Sequence, residues 1–398
     1  MRKVYVVGTM DTKAEELRFA AECVRRAGAE PVLVDVGTKR PGLGADFAAA
    51  EIAAHHPEGS GVVLGLDDRG KAIAGMAEAL TRWLAARTDI GAVLGMGGSG
   101  NTALVTQAMR ALPIGTPKLM VSTVASANVA PYVGPADVAM MYSVVDVAGI
   151  NAISRRVIAN AAHAAAGMAL NAPPTASAAE KPGVGMTMFG VTTACVTMLR
   201  EALEPTHECY VFHATGAGGR SMEKLADSGL IAALIDLTTT EVPDFLVGGV
   251  FPCDADRFGA PIRTRLPYVG SVGAVDMVNF GARDTVPAQF AGRNLYVHNP
   301  QVTLMRTTPE ENRAIGRFIV ERLNRMEGPM RFLLPLGGVS AIDVPGMPFH
   351  DPAADAALFD TIRAGLVPAP NRKLIEVDAA INDRAFTDAV LAAFREIA

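Results

Sequence analysis

Four glycines stand within the six residues from Gly95 to Gly100, in the run Val93-Leu94-Gly95-Met96-Gly97-Gly98-Ser99-Gly100-Asn101-Thr102. An apolar segment, Ile90 to Leu94, precedes them, and a helical pattern from Thr102 to Leu112 follows. Bare backbone lets amide groups approach a bulky anion, and a helix start adds unpaired N–H groups and the positive end of a dipole. The run predicts a phosphate or carboxylate cradle at the carboxyl end of a parallel strand. A tight turn with no ligand is the alternative.

Two familiar phosphate-binding patterns are close but incomplete. Gly95, Gly97 and Gly100 spell the dinucleotide fingerprint G-x-G-x-x-G, which needs an acidic residue about 20 positions later for the ribose hydroxyls. No Asp or Glu lies between Thr102 and Ala136, so a nicotinamide dinucleotide is disfavoured. Gly95 to Thr102 also approaches the P-loop pattern, but Asn101 stands where its lysine belongs.

Further residues of the same chemistry recur at other strand ends. Thr9, Asp11 and Lys13 follow the apolar segment Lys3 to Val7, so Lys13 reads as a phosphate binder or a solvated first-turn lysine. Gly190, Val191 and Thr192 follow Val184 to Phe189. The richest run is His213-Ala214-Thr215-Gly216-Ala217-Gly218-Gly219-Arg220-Ser221-Met222-Glu223. Arg220 there offers the planar fork that grips phosphate or carboxylate, and Ser221 reads as a helix N-cap. Asp236 and Glu241 bracket three threonines and could hold a magnesium-bound phosphate, hold a ribose or act as a base, with His213 as a second acid/base candidate. Ser340, Asp343 and His350 contain the residue types of a hydrolytic triad, but without a nucleophile elbow.

The elements that must position these groups alternate strand and helix in both halves. In the first half, strands are expected at Lys3 to Val7, Pro31 to Val36, Ile90 to Leu94, Leu119 to Thr123 and Val138 to Val144. A helix from the Thr12-x-x-Glu15 capping-box spacing to Ala27 and an Ala-rich helix from Ile150 to Leu170 belong with them. Residues 173–183, rich in Pro, Ala and Ser, read as a linker between lobes 1–172 and 184–398. In the second lobe, Ser221 to Asp227 reads as a helix, Val269 to Phe280 as one strand-rich segment, and Thr308 to Met326 as a helix. The expected fold class is α/β: two Rossmann-like, doubly wound lobes with mostly parallel sheets facing across a cleft.

At 398 residues, 50% of them hydrophobic, the chain is long enough for two cores. A formal net charge of -5 with 6% aromatic residues argues against a nucleic-acid surface. No apolar run reaches the roughly 18 residues of a membrane span. The start Met1-Arg2-Lys3-Val4-Tyr5 lacks a signal-peptide pattern, so a cytoplasmic location is expected. The four widely spaced cysteines fit no metal pattern, and no metal site is predicted.

Five separated runs together carry a family resemblance. They are Gly8 to Lys13, Gly97 to Thr102, Thr215 to Glu223, Asp236 to Val242 and Pro335 to Gly346. They resemble the ATP-binding N-terminal domain of the tomato mosaic virus resistance protein and its bacterial relatives, an uncharacterised protein family. Asn101 departs from the glycine expected there, which would narrow the cradle. The resemblance implies two Rossmann-like subdomains, ATP binding and self-association into a homo-dimer or higher homo-oligomer. A TIM-barrel domain follows in the plant protein, which implies a separately encoded barrel partner for this chain. The plant domain's binding of a viral replication protein is not carried over. Three readings follow: an adenine-nucleotide-binding protein with magnesium on the phosphates, an enzyme acting on a small phosphorylated or carboxylated metabolite between the lobes, or a regulatory subunit with a structural nucleotide.

Overall fold

The computed structural model describes residues 2–39, 44–171 and 181–398. These fall into two compact units, Met1–Ala176 and Ser177–Ala398. Of the expected linker, residues 173–180 lie outside the described residues, and Gly183 already opens a strand.

In the first unit the order is β1 (Lys3–Gly8), α1 (Met10–Arg26), β2 (Glu30–Asp35), α2 (Ala49–Ala53), α3 (Arg69–Ala85), β3 (Ile90–Gly97), α4 (Ser99–Ala111), β4 (Lys118–Ser122), α5 (Ala130–Val133), β5 (Val138–Tyr142) and α6 (Ala152–Leu170). The strands form one parallel sheet in the order β2-β1-β3-β4-β5. Strands buried on both faces need continuous apolar runs, and β3 is buried almost from end to end. Two apolar layers cover the sheet. One centres on Trp83, whose ring meets Tyr5 edge-on at 5.7 Å and Phe47 at 4.9 Å, under the Arg87 guanidinium at 4.2 Å. The other packs α1 and the alanines Ala161, Ala162, Ala165 and Ala166 of α6 against β1, β3 and β4. Those alanines pack within the unit's own core.

The second unit runs β6 (Gly183–Met188), α7 (Thr193–Leu203), β7 (Glu208–His213), α8 (Ala217–Asp227), β8 (Ala233–Thr238), α9 (Glu241–Val247), α10 (Gly259–Thr264), β9 (Tyr268–Gly273), β10 (Met277–Phe280), β11 (Leu295–Asn299), β12 (Val302–Arg306), α11 (Pro309–Leu323), β13 (Met330–Pro335), α12 (Pro352–Gly365), β14 (Arg372–Val377) and α13 (Arg384–Ile397). Six strands make a parallel sheet, β14-β13-β9-β8-β6-β7, and three make a small antiparallel sheet, β10-β12-β11. The α/β class with two Rossmann-like parallel sheets is therefore what the chain adopts. The segment Val269 to Phe280 is two strands in different sheets, because Ala274, at φ 56°, lies in the turn between them.

Helix starts differ most from the sequence-based expectation. Helix α1 begins at Met10 with Thr9 in the N-cap position, and its backbone leaves helical geometry at Lys13 (φ -130°, ψ 22°). Thr12 is therefore inside the first turn, with its hydroxyl 3.0 Å from that of Thr9. Ser221 lies inside α8 and returns its Oγ to the Ala217 carbonyl, 2.9 Å away, instead of capping. Helix α11 does carry its capping box: Glu311 N donates to Thr308 Oγ at 3.2 Å and Thr308 N donates to Glu311 Oε2 at 2.7 Å. No helix among the described residues is long and apolar enough to cross a membrane.

Candidate ligand-binding site

In the first sheet β1 lies between β2 and β3, so the connections leaving β1 and β3 diverge to opposite sides. Open α/β sheets bind ligands at such a point, outside the carboxyl ends of the strands. A cavity of about 320 Å³ opens there, lined among others by Thr9, Asp11, Lys13, Gly98, Gly100 and Asn101. Two runs singled out in the sequence, some ninety residues apart, thus meet at one place.

The local chemistry explains the shape. The Asp35 carboxylate at the end of β2 is buried and accepts Met10 N at 2.9 Å and Gly37 N at 2.8 Å, which ties the loops after β1 and β2 together. Gly95 closes the packing behind the site: a Cβ there would lie 2.6 Å from Met120 Sδ and 2.7 Å from Val105 Cγ1. Gly98 has the opposite setting, with only Thr123 Oγ within reach of a Cβ, at 3.8 Å. The first turn of α4 presents the amides of Ser99, Gly100 and Asn101, which have no acceptor within a helix. Asn101 Nδ2 donates to the Met96 carbonyl at 2.6 Å, fastening the helix start to the strand, while its buried Oδ1 has no hydrogen-bond partner.

The cavity also gathers residues that no sequence pattern pointed to as ligand groups: Thr38 and Lys39 after β2, Arg69 at the start of α3, and Asp146 after β5. Arg69 belongs to Asp67-Asp68-Arg69-Gly70, where Asp68 caps α3 by accepting Gly70 N at 2.9 Å and Lys71 N at 3.1 Å. The side chains of Lys13, Lys39 and Arg69 form no ion pair or hydrogen bond with another described residue. Gly97 and Thr102 do not line the cavity. Thr102 is buried, its Oγ 2.9 Å from the Gly98 carbonyl and 2.7 Å from Ser122 Oγ.

The second glycine run is arranged differently. Glu241 is fully buried, and its Oε1 accepts Gly216 N at 2.7 Å and Gly219 N at 3.0 Å. The place an incoming anion would take is held by the chain's own carboxylate, and a Cβ at Gly219 would lie 2.1 Å from Glu241 Oε2. Gly218 is packed on backbone, 1.8 Å from its Cβ position to the His213 carbonyl oxygen. Arg220 is exposed and turns its Nε to the Gly216 carbonyl at 3.0 Å, and Met222 belongs to the core.

Glu241 Oε2 in turn accepts Arg257 Nε at 3.0 Å. The same guanidinium reaches Asp236 at 2.7 Å and Glu223 at 2.9 Å, and Tyr268 donates to Asp236 at 3.0 Å. Burial works against the Arg257 charge, but Asp236, Glu241 and Glu223 hold its pKa well above the usual value. Glu223 is pushed up by burial although it faces Arg257. This buried quartet fixes the loop after β7 and gives Glu241 a structural partner set. Sequence reasoning missed Arg257, which stands in no motif.

Gly190 and Val191 line a separate hollow with His213, and Thr192 is buried with its Oγ 2.8 Å from Thr238 Oγ. Near the end of β13, Ser340 Oγ donates to Asp276 at 2.8 Å and Asp343 pairs with Arg306 at 3.2 Å, so neither serves a triad with His350. Among the described residues no group of three or more His, Cys, Asp or Glu is arranged to hold a metal ion.

Two family models match consecutive stretches of the chain: the uncharacterised protein family (UPF0261) N-terminal domain over residues 2–174 and its C-terminal domain over residues 181–398. The chain belongs to this family. A UPF0261 protein of Rhizobium meliloti is 56% identical over the whole of both chains. The ToMV resistance protein Tm-1 of Solanum lycopersicum is 41% identical over 99% of this chain and 56% of its own length. A C2-type ketoreductase from a modular polyketide synthase shares 15% identity over 98% of this chain and 85% of its own, with a TM-score of 0.23, too low to bear on fold or function.

Proposed function

We propose that the first unit of this UPF0261 protein binds a nucleotide, ATP in the first instance, with its phosphates in the cavity at the ends of β1 and β3. One observation carries the reading: Lys13, Lys39 and Arg69 surround the α4 N-terminus at the sheet's switch point with no partner among the described residues. Three cations and a row of first-turn amides form a site for a multiply charged anion. Asp11 and Asp146, which also line it, suit magnesium held jointly by one or two carboxylates and the phosphates. The second glycine turn is left out of this site because Glu241 fills it.

The other expectations stand with this proposal. A TIM-barrel partner protein belongs to the same proposal on the family resemblance alone, and co-purification with such a protein checks it. A cytoplasmic setting agrees with four free cysteines among the described residues. Self-association into a homo-oligomer is checked by light scattering. For the binding itself, titration calorimetry with magnesium-ATP and with inorganic tripolyphosphate is the test. Both should bind to the intact protein, and no heat with either would sink the reading.

A further inference from the structure

The second unit carries a hollow of opposite chemistry. It measures about 230 Å³ and lies at the carboxyl ends of β6 and β7, roofed by the β11–β12 hairpin. In this sheet β6 lies between β7 and β8, so the loop after β6 is again at the point where the connections diverge. Phe189, Val191, Phe251, Val302 and Leu304 supply an apolar wall, and the first two and Leu304 are buried. The polar groups are His213, His298, Thr215 and Asn299, and no Lys, Arg, Asp or Glu lines the hollow among the described residues.

Its polar groups are unequally committed. Asn299 Oδ1 already accepts Gln301 N at 2.8 Å, and Thr215 Oγ donates to the His213 carbonyl at 3.3 Å. The imidazoles of His213 and His298 lie near the rings of Phe189, at 5.1 Å, and Tyr296, at 6.5 Å, and make no hydrogen bond to another described residue. Each imidazole presents one donor and one acceptor nitrogen when neutral. The Glu241 contacts to Gly216 and Gly219 hold the segment that places Thr215.

Small-molecule sites combine a mostly apolar lining with a few convergent polar groups. We propose that this hollow binds a small organic molecule with an apolar, ring-sized body and one oxygen-bearing head, a hydroxyl or carbonyl held by His213 and His298. The absence of a cationic side chain from the lining sets its ligand apart from the phosphates proposed for the first unit. The inference is independent of that proposal.

Imidazole proton–nitrogen NMR spectra of the full chain test it. Seven histidines are present, and His213→Gln and His298→Gln assign the two that matter. Benzyl alcohol, isobutyramide, benzoate and inorganic phosphate serve as probes. Benzyl alcohol or isobutyramide should shift both imidazoles in a saturable way, and phosphate should shift neither. A response to benzoate alone or phosphate alone would overturn the assigned ligand class, and no response to any probe would overturn the site. Val302→Trp fills the hollow and should abolish the shifts. Gly190→Leu is the second variant, because a Cβ at that position meets nothing within 4 Å, so the fold should tolerate it. Unchanged shifts in a folded filling variant would also overturn the site.

Discussion

Glu241 Oε1 lies 3.0 Å from the amide nitrogen of Gly219 and so occupies the spot where a strand–glycine–helix turn holds an anion. The two glycine runs look alike as sequence and differ in what completes them. In the first unit the amides face a cavity with unpaired cations. In the second, a carboxylate more than twenty positions along the chain closes the turn, and Arg257 balances it.

Removing that carboxylate is expected to destabilise the second unit. Glu241→Ala leaves the Gly216 and Gly219 amides without an acceptor and Arg257 with Asp236 and Glu223 only, at about 1–3 kcal/mol for each buried donor left unsatisfied. Urea unfolding followed by far-UV circular dichroism should show it. Magnesium-ATP binding, if located in the first unit, should survive in the folded fraction.

Gly98→Val should abolish nucleotide binding and leave the fold intact. The backbone there has φ -82°, open to any residue, and only Thr123 Oγ approaches a Cβ. The added side chain therefore enters the cavity instead of the core. Undiminished calorimetric binding in Gly98→Val would remove the α4 start from the site.

Lys13→Ala should weaken tripolyphosphate and ATP by tenfold or more, as a charge-assisted contact contributes about 1.5–3 kcal/mol. Arg220→Ala should change neither affinity, because Arg220 lies on the exposed side of α8 and bonds the Gly216 carbonyl. The opposite ranking would relocate the phosphates to the second unit.

Stability of the second unit should fall as pH rises from about 4 to about 7. Burial raises the Asp244 carboxyl from its ordinary 3.8 to about 7, against opposing hydrogen bonds from Asn279 and Phe251. A carboxyl that holds its proton more tightly when folded lends stability that is fully present below the unfolded pKa. That stability is lost as pH rises to the folded value, at up to about 1.4 kcal/mol per pH unit. Burial also pushes Asp343 up, to about 9, next to Asp276 and Asp355, which extends the decline above neutrality. Urea midpoints between pH 4 and 8 measure the slope, and Asp244→Asn should flatten it.

The fold was legible where a strand buried on both faces reads as an apolar run: β1 and β3 stand where Lys3 to Val7 and Ile90 to Leu94 are. The first cradle was legible for a local reason, since strand, glycines and helix are consecutive. Three kinds of feature were not. Helix starts depend on caps whose partners only geometry supplies, as with Thr12 and Ser221. Strand β12 and helix α12 sit among turns that blur their periodicity. Lys39, Arg69 and Asp146 reach the cavity from three separate elements, and Glu241 finds its amides across a loop, so no spacing announces either arrangement.

Trp83 is the only tryptophan in the chain, and it is buried beneath Arg87 in the core of the first unit. Its emission therefore reports the melting of that lobe and is blind to the other, whereas circular dichroism averages both. Superimposable curves from the two signals would mean that the halves open as one; separated curves would give each half its own midpoint without cutting the chain.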